Sequence, residues 1–250
     1  MQIIATAIQK GGTGKSTTAA TLAQAAACKG LRVLAVDMDS QHNLSYALAA
    51  NNDQCDALAL LEGEPVRDLI QTTPQRVDVI ASNMRLATVG SGRGSARRLA
   101  AALAPIRDEY DIIFIDTPTT PGELVYNALQ AATGVIIPCC GDAYSMQSIY
   151  QTDLLIDQFK ESNPALEVTG LLLTRFTTRS RNFAQQAREM LRRQAEQLGV
   201  PYLGEVREGS AIQKAAFLRR SLYEYDKRSN PARDYMRVLE TICTGGLNNG

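Results

Sequence analysis

The segment Lys10-Gly11-Gly12-Thr13-Gly14-Lys15-Ser16-Thr17 lies between an apolar run at residues 2–8 and an Ala- and Thr-rich stretch from Ser16 to Cys28. Strand, glycine-rich turn and helix in that order leave few architectures open to the chain. Glycines let the backbone curl so that successive N–H groups converge on phosphate oxygens. The helix N-terminus adds partial positive charge to the same spot. Lys15 can reach β- and γ-phosphates, and the Ser16 hydroxyl can coordinate Mg²⁺. The bland alternative is a glycine-rich turn carrying a surface lysine. The strict pattern G-x-x-x-x-G-K-[ST] is not met, because Gln9 occupies its first position and Lys10 precedes a glycine pair.

Strands alternate with helices along the rest of the chain. Further strands are expected at 31–36, 77–81, 111–116, 134–138, 167–175 and about 202–206. Helices are expected at 43–50, 55–61, 95–109, 122–132, 145–160, 181–198, 210–217 and 231–243. This alternation predicts an α/β fold, a mainly parallel twisted sheet with helices on both faces. No linker divides the chain, so one domain is expected over 1–244, with a loose tail at 245–250. At 250 residues, one domain could bury roughly 70–75% of its extended-chain surface. A hydrophobic fraction of 45% and a charged fraction of 21% exclude wholesale disorder, collagen and simple coiled coil. No apolar run reaches the roughly 18 residues of a membrane span, and the N-terminus has no signal-peptide pattern. Cys28, Cys55, Cys139, Cys140 and Cys243 are scattered and lack CxxC spacing, so reduced thiols in a cytoplasmic protein are expected.

Two acidic strand ends accompany the loop. Asp116 closes the apolar run Asp-Ile-Ile-Phe-Ile-Asp, where it can hold Mg²⁺ through water or cap a following helix. Asp37 and Asp39 close the second strand, and both face the phosphates if the extended geometry continues. An Asx turn is the alternative for Asp39. Charge is uneven as well. Residues 175–237 hold 14 basic and 7 acidic residues, although Lys plus Arg and Asp plus Glu each total 26 in the chain. A basic C-terminal third can present a local positive face, or a solvated surface with arginines turned many ways. Arg181, Arg188 and Arg192 share one helix face by spacing. Lys214, Arg219 and Arg220 lie on and just after the next helix.

The lysine-first loop, Val36-Asp37-Met38-Asp39-Ser40-Gln41-His42-Asn43 and Asp111–Pro118 together resemble the ParA/Soj branch of the ParA/MinD family of deviant Walker ATPases. The resemblance runs from Ile3 to about Ile242. It implies ATP and Mg²⁺ as cofactors, a slow partner-stimulated ATPase and a nucleotide-sandwich homodimer. In that dimer Lys10 acts in trans on the partner's phosphates, while Lys15 and Ser16 act in cis. Gly11, Gly12, Thr13, Gly14 and Thr17 complete the loop. Asp39 matches the aspartate that orients the attacking water and is a further metal candidate; Asp116 matches the Walker B aspartate. The resemblance also implies non-specific DNA binding on the nucleoid, a ParB-like centromere-binding adaptor, and partition or positioning of a cargo. Candidate DNA contacts are Arg181, Arg188, Arg192, Lys214, Arg219 and Arg220. Thr174, Arg175 and Arg207 are candidate neighbours of the base. Two departures stand out: His42 replaces a family glycine, and Val206-Arg207-Glu208-Gly209 replaces the usual Ile-Pro-Arg-Asn stretch. A MinD-like membrane ATPase is the alternative, but Tyr235, Val238, Leu239 and Ile242 read as a core-facing stripe rather than a lipid-facing one.

Overall fold

The computed structural model describes every residue except 91, 93, 178–180 and 246–250, and leaves aside the side chains of Ala143 and Arg181. Arg179, just ahead of the helix expected at 181–198, and most of the tail expected at 245–250 therefore lie outside the described residues.

Eight strands form one sheet among the described residues. They are β1 (Gln2–Thr6), β2 (Val33–Asp37), β3 (Gln71–Thr72), β4 (Asp78–Ile80), β5 (Ile112–Asp116), β6 (Gly134–Cys139), β7 (Glu167–Phe176) and β8 (Tyr202–Arg207). Their order is β3-β4-β2-β5-β1-β6-β7-β8, and every pairing except β3 with β4 is parallel. The helices are α1 (Lys15–Cys28), α2 (Asn43–Ala47), α3 (Asp56–Glu62), α4 (Arg98–Leu103), α5 (Glu123–Ala131), α6 (Ala143–Lys160), α7 (Arg181–Leu198), α8 (Ser210–Phe217), α9 (Leu222–Asp226) and α10 (Asn230–Gly245). The expected α/β architecture is the one observed.

Central strands are apolar throughout because helices cover both faces. In β5 every residue is buried. Alternate residues of each strand feed two separate cores. Ile3, Val36, Ile113 and Ile137 pack with α3 to α7. Ile4, Ala35, Phe114 and Ile136 pack with α1, α2 and α10. The stripe Tyr235, Val238, Leu239 and Ile242 on α10 lies inside this second core.

The sequence reading departs from the structure in three local places. The helix expected at 95–109 is broken into a 3₁₀ turn at Ser95–Arg97, the short α4 and a second 3₁₀ stretch at Ala104–Glu109. Pro105 sits at its second junction, where a missing N–H and a fixed ring end regular α-helix. Strand β3 is only two residues long and pairs antiparallel at the sheet edge, too short for any alternation to show. Helix α9, of five residues, was likewise not expected.

Helix α1 is tied to α10 by a buried hydrogen bond between the Thr18 and Tyr235 hydroxyls, 3.0 Å apart. Tyr235→Phe removes one partner and leaves the other buried. A loss of about 1–2 kcal/mol is expected, read as a lower denaturant midpoint. An unchanged midpoint would mean that the Thr18 hydroxyl finds another partner.

Candidate functional site

The loop between β1 and α1 sits at the C-terminal ends of the central strands, beside the split where β1 has β5 on one side and β6 on the other. Ligands of open α/β sheets bind in such crevices. Gly12 (φ 74°) and Gly14 (φ 87°) are left-handed. An added Cβ at Gly12 would meet nothing within 4 Å, so backbone conformation, not crowding, calls for glycine there. The Thr174 hydroxyl donates to the Thr13 carbonyl at 2.7 Å and fixes the loop against β7. Lys15 is buried. Its Nζ donates to the Lys10 carbonyl at 3.3 Å and the Thr119 hydroxyl at 3.0 Å. Burial lowers the Lys15 pKa, while Asp116 and Asp39 oppose that shift. A cavity of about 570 Å³ opens over the loop, lined at this end by Gly12, Gly14, Lys15, Ser16, Asp39 and Thr119.

Asp37 and Asp116 are register partners on neighbouring strands and are both fully buried. Their fates differ. Asp37 accepts hydrogen bonds from the Asp39 N–H at 3.1 Å, the Ser45 N–H at 2.8 Å and the Ser45 hydroxyl at 2.7 Å. Its pKa is raised by burial, with the Ser45 bonds pulling the other way. It does not line the cavity, because β2 ends at Asp37 and the extended geometry needed to align it with Asp39 stops there. The pKa of Asp116 is raised as well, by burial and then by Asp37. Its Oδ1 accepts from Thr6 at 3.3 Å, and its Oδ2 is buried with no hydrogen-bond partner. An orphaned carboxylate oxygen is costly unless a cation or bound water completes it. That vacancy in its bonding suits a hydrated Mg²⁺ shared with the Ser16 hydroxyl. Asp116 is not a helix cap: Gly122 precedes α5.

Asp39 lines the cavity and also forms an Asx turn, its Oδ1 accepting from the Gln41 N–H at 3.0 Å. The two readings of this residue are compatible. His42 has φ 47°, a left-handed position at the start of α2 that glycine would adopt without strain. Its Nδ1 lies 3.3 Å from the Ser40 carbonyl.

Lys10 points away from its own cavity. Its Nζ meets Asp142 Oδ1 and Oδ2 at 2.5 and 2.6 Å and the Ser145 hydroxyl at 3.2 Å. Asp142 caps α6 through the Ser145 N–H. Burial pushes the Asp142 pKa up, but Lys10 and Ser145 more than offset this and hold it below its ordinary value. Sequence reasoning missed Asp142 and Thr119. An Asp ahead of a helix was the available signal for Asp142; Thr119 gave none beyond its closeness to Asp116.

A family model described as an AAA domain matches residues 1–168. The chromosome partitioning protein ParA of Myxococcus xanthus (strain DK1622) is 36% identical over 203 residues, 76% of this chain and 70% of that protein. The sporulation initiation inhibitor protein Soj of Bacillus subtilis (strain 168) is 31% identical over 98% of this chain and 99% of its own. The chain belongs to the ParA/Soj family. Among solved structures, a cobyrinic acid a,c-diamide synthase from Mycobacterium smegmatis with a bound ATP analogue and magnesium superposes with a TM-score of 0.81. It is 25% identical, and the match covers 100% of this chain and 97% of that one.

The remaining candidates surround the family's site unevenly. Thr174, Arg175 and Arg207 line the cavity. Arg207 is held by Asp234 in a two-pronged ion pair at 2.8 and 2.7 Å, which fixes its guanidinium at the rim. Arg175 is exposed and left-handed, with Nη1 3.5 Å from the Gly12 carbonyl. Arg188 and Arg192 do share a face of α7, but it leans on β7 and β8. Arg188 pairs with Glu205 and lies over Phe176 at 5.0 Å, and Arg192 lies over Tyr202 at 5.2 Å. Arg219 donates to the Ala50 carbonyl at 2.7 Å and covers the Tyr46 ring. Lys214 and Arg220 are exposed. The side chain of Arg181 is outside the described residues. Spacing places these cations on or just after two helices but does not reveal which are already engaged.

Asp142→Asn removes the charge that retains Lys10. Amine-directed acylation of Lys10, followed by peptide mass spectrometry, is expected to quicken several-fold while Lys15 stays protected by burial. Unchanged Lys10 labelling would show that Ser145 alone retains it.

Proposed function

We propose that the chain is a nucleotide-driven switch that binds ATP with Mg²⁺, dimerises in that state and hydrolyses ATP to partition or position a cargo. The observation that carries this reading is the pair of lysines on one loop. Lys15 is buried in its own cavity, while Lys10 is turned outward to Asp142. A cation at the mouth of a phosphate loop that does not serve that loop suits action on a second copy's phosphates.

The chain's residues divide the work. Backbone N–H groups from Gly11 to Thr17 and the Lys15 ammonium bind phosphate oxygens. Ser16 and Asp116 would hold Mg²⁺, which when bound would offset the negative charge of the phosphates. Asp39, at the cavity edge, orients the attacking water, and Lys10 from the partner copy stabilises charge developing in transfer. Thr174, Arg175 and Arg207 border the base. Exposed Lys214 and Arg220, with Arg192, supply phosphate contacts to DNA without base reading. A dimer presents two such patches and gains avidity. A ParB-like adaptor stimulates turnover on the nucleoid. The MinD-like alternative loses ground because the apolar stripe of α10 is buried.

Four outcomes are expected. Lys15→Ala abolishes nucleotide binding in a titration; near-normal affinity would overturn the phosphate-loop assignment. Asp39→Ala binds ATP and dimerises but does not turn over, read by sedimentation and phosphate release. Co-sedimentation of the wild type with plasmid DNA rises with ATP and falls with salt, whereas liposomes are not retained. In the same assay, charge reversal at Arg192 or Lys214 weakens DNA retention and leaves dimerisation intact. Retention by liposomes alone would favour the membrane reading.

A further inference from the structure

Downstream of Asp39, the chain stays against the cavity for two turns. Asp39, Gln41, Asn43, Tyr46 and Ala47 all line it. The far end of this segment is fastened to a distant piece of sequence, the corner between α8 and α9. Gln75 is the fastener. It is 5% exposed, and its Nε2 donates to both the Ala47 carbonyl at 2.9 Å and the Arg219 carbonyl at 3.2 Å. A second buried amide fixes its orientation: Gln24 Nε2 donates to Gln75 Oε1 at 2.8 Å, and Gln24 Oε1 accepts from the Leu222 N–H at 3.0 Å. Amides from α1 and from the turn between β3 and β4 thus join α2 to both sides of the corner.

Arg219 closes the circuit from the other direction. Its guanidinium donates to the Ala50 carbonyl at 2.7 Å and lies 5.3 Å from the Tyr46 ring centroid. Its backbone is left-handed, φ 51°, as is that of Ala49, φ 61°. Such conformations in non-glycine residues persist where surroundings over-determine them. The outer side of the corner is unlike its inner side: Lys214, Phe217 and Leu218 are exposed there, Phe217 at 78%, whereas Ala215, Ala216, Arg220 and Leu222 line the cavity.

We propose that Arg219, Gln75 and Gln24 are positioning residues that make the placement of the basic α8–α9 corner depend on what occupies the nucleotide cavity. The inference rests on the reading above in taking Asp39 and its neighbours to face bound nucleotide. The physical basis is that α2 cannot move against the corner without breaking the part-buried bonds of Gln75 and Arg219 or pulling on the fully buried Gln24–Gln75 and Gln24–Leu222 bonds behind them, and a buried amide left unpaired is costly. A shift of α2 on nucleotide binding is therefore passed on rather than absorbed. Arg219 is thereby a clamp, not a cation free to meet DNA.

The test is hydrogen exchange over residues 214–222, with and without ATP and Mg²⁺, in the wild type, Arg219→Gly and Gln75→Met. Glycine accepts the left-handed backbone without strain, and methionine keeps the volume of Gln75 without its donors. ATP affinity is measured in parallel and is expected to stay near the wild-type value, since neither residue lines the cavity. In the wild type, ATP is expected to change exchange in the corner by at least about fivefold, the lower end of ordinary coupling between sites. In both variants the ratio with and without ATP collapses toward one. A wild-type corner that ignores bound nucleotide would overturn the proposal. So would variants that keep the wild-type ratio, including variants whose exchange rises equally in both states. Failure of the wild type to retain DNA would count against DNA binding and leave this ratio as the measure of the relay.

Discussion

Two buried aspartates side by side on paired strands are the arrangement on which the site depends. Asp37 and Asp116 stand opposite each other in the parallel register, and like charges in a poorly solvated place cannot both remain bare. The chain answers this in two ways. Three donors complete Asp37, which turns it into the anchor of α2. Asp116 is left with one oxygen unpartnered, facing Lys15 and Asp39 among the groups that set its charge. The protein thereby holds a place for positive charge that its own side chains only partly fill. Lys15, itself destabilised as a cation by burial, shares the complementary deficit, because phosphate oxygens are the partners its position calls for.

Much of this was legible in the chain, for reasons that differ by element. The loop could be read because glycine at left-handed positions and lysine at a helix start have few other uses. Strand β5 could be read because a parallel strand covered on both faces must be apolar along its length. What could not be read depended on tertiary partners. Asp37 and Asp39 look equivalent in Val-Asp-Met-Asp, and only the end of β2 and the placement of Ser45 separate them. Arg188, Arg207 and Arg219 look like free cations, yet Glu205, Asp234 and the Ala50 carbonyl engage them from sequence distances of 17, 27 and 169 residues. Charge counting sees the cation and not its partner. The segment at 95–109 failed for a local reason, since its periodicity was helical but Pro105 interrupts it.

Helix α1 explains which parts of the site can respond to a ligand. Its sequence is built from Ala and Thr with one leucine, and it is buried over most of its length. Small side chains let β-strands, α2 and α10 approach from all sides, so the helix carrying the phosphate loop has no soft face. An element hemmed in this closely is stiff, and its displacement would be transmitted into the whole second core. Compliance in the site must therefore reside in what surrounds the loop rather than in the loop itself. The stretch from Asp39 to Ala50 is the more compliant partner: it is short, has left-handed turns at His42 and Ala49, and only Leu44, Ser45, Leu48 and Ala50 within it are buried. A rigid cradle beside a yielding strap turns the arrival of a ligand into motion of the strap rather than of the loop, as a caliper with one fixed jaw does.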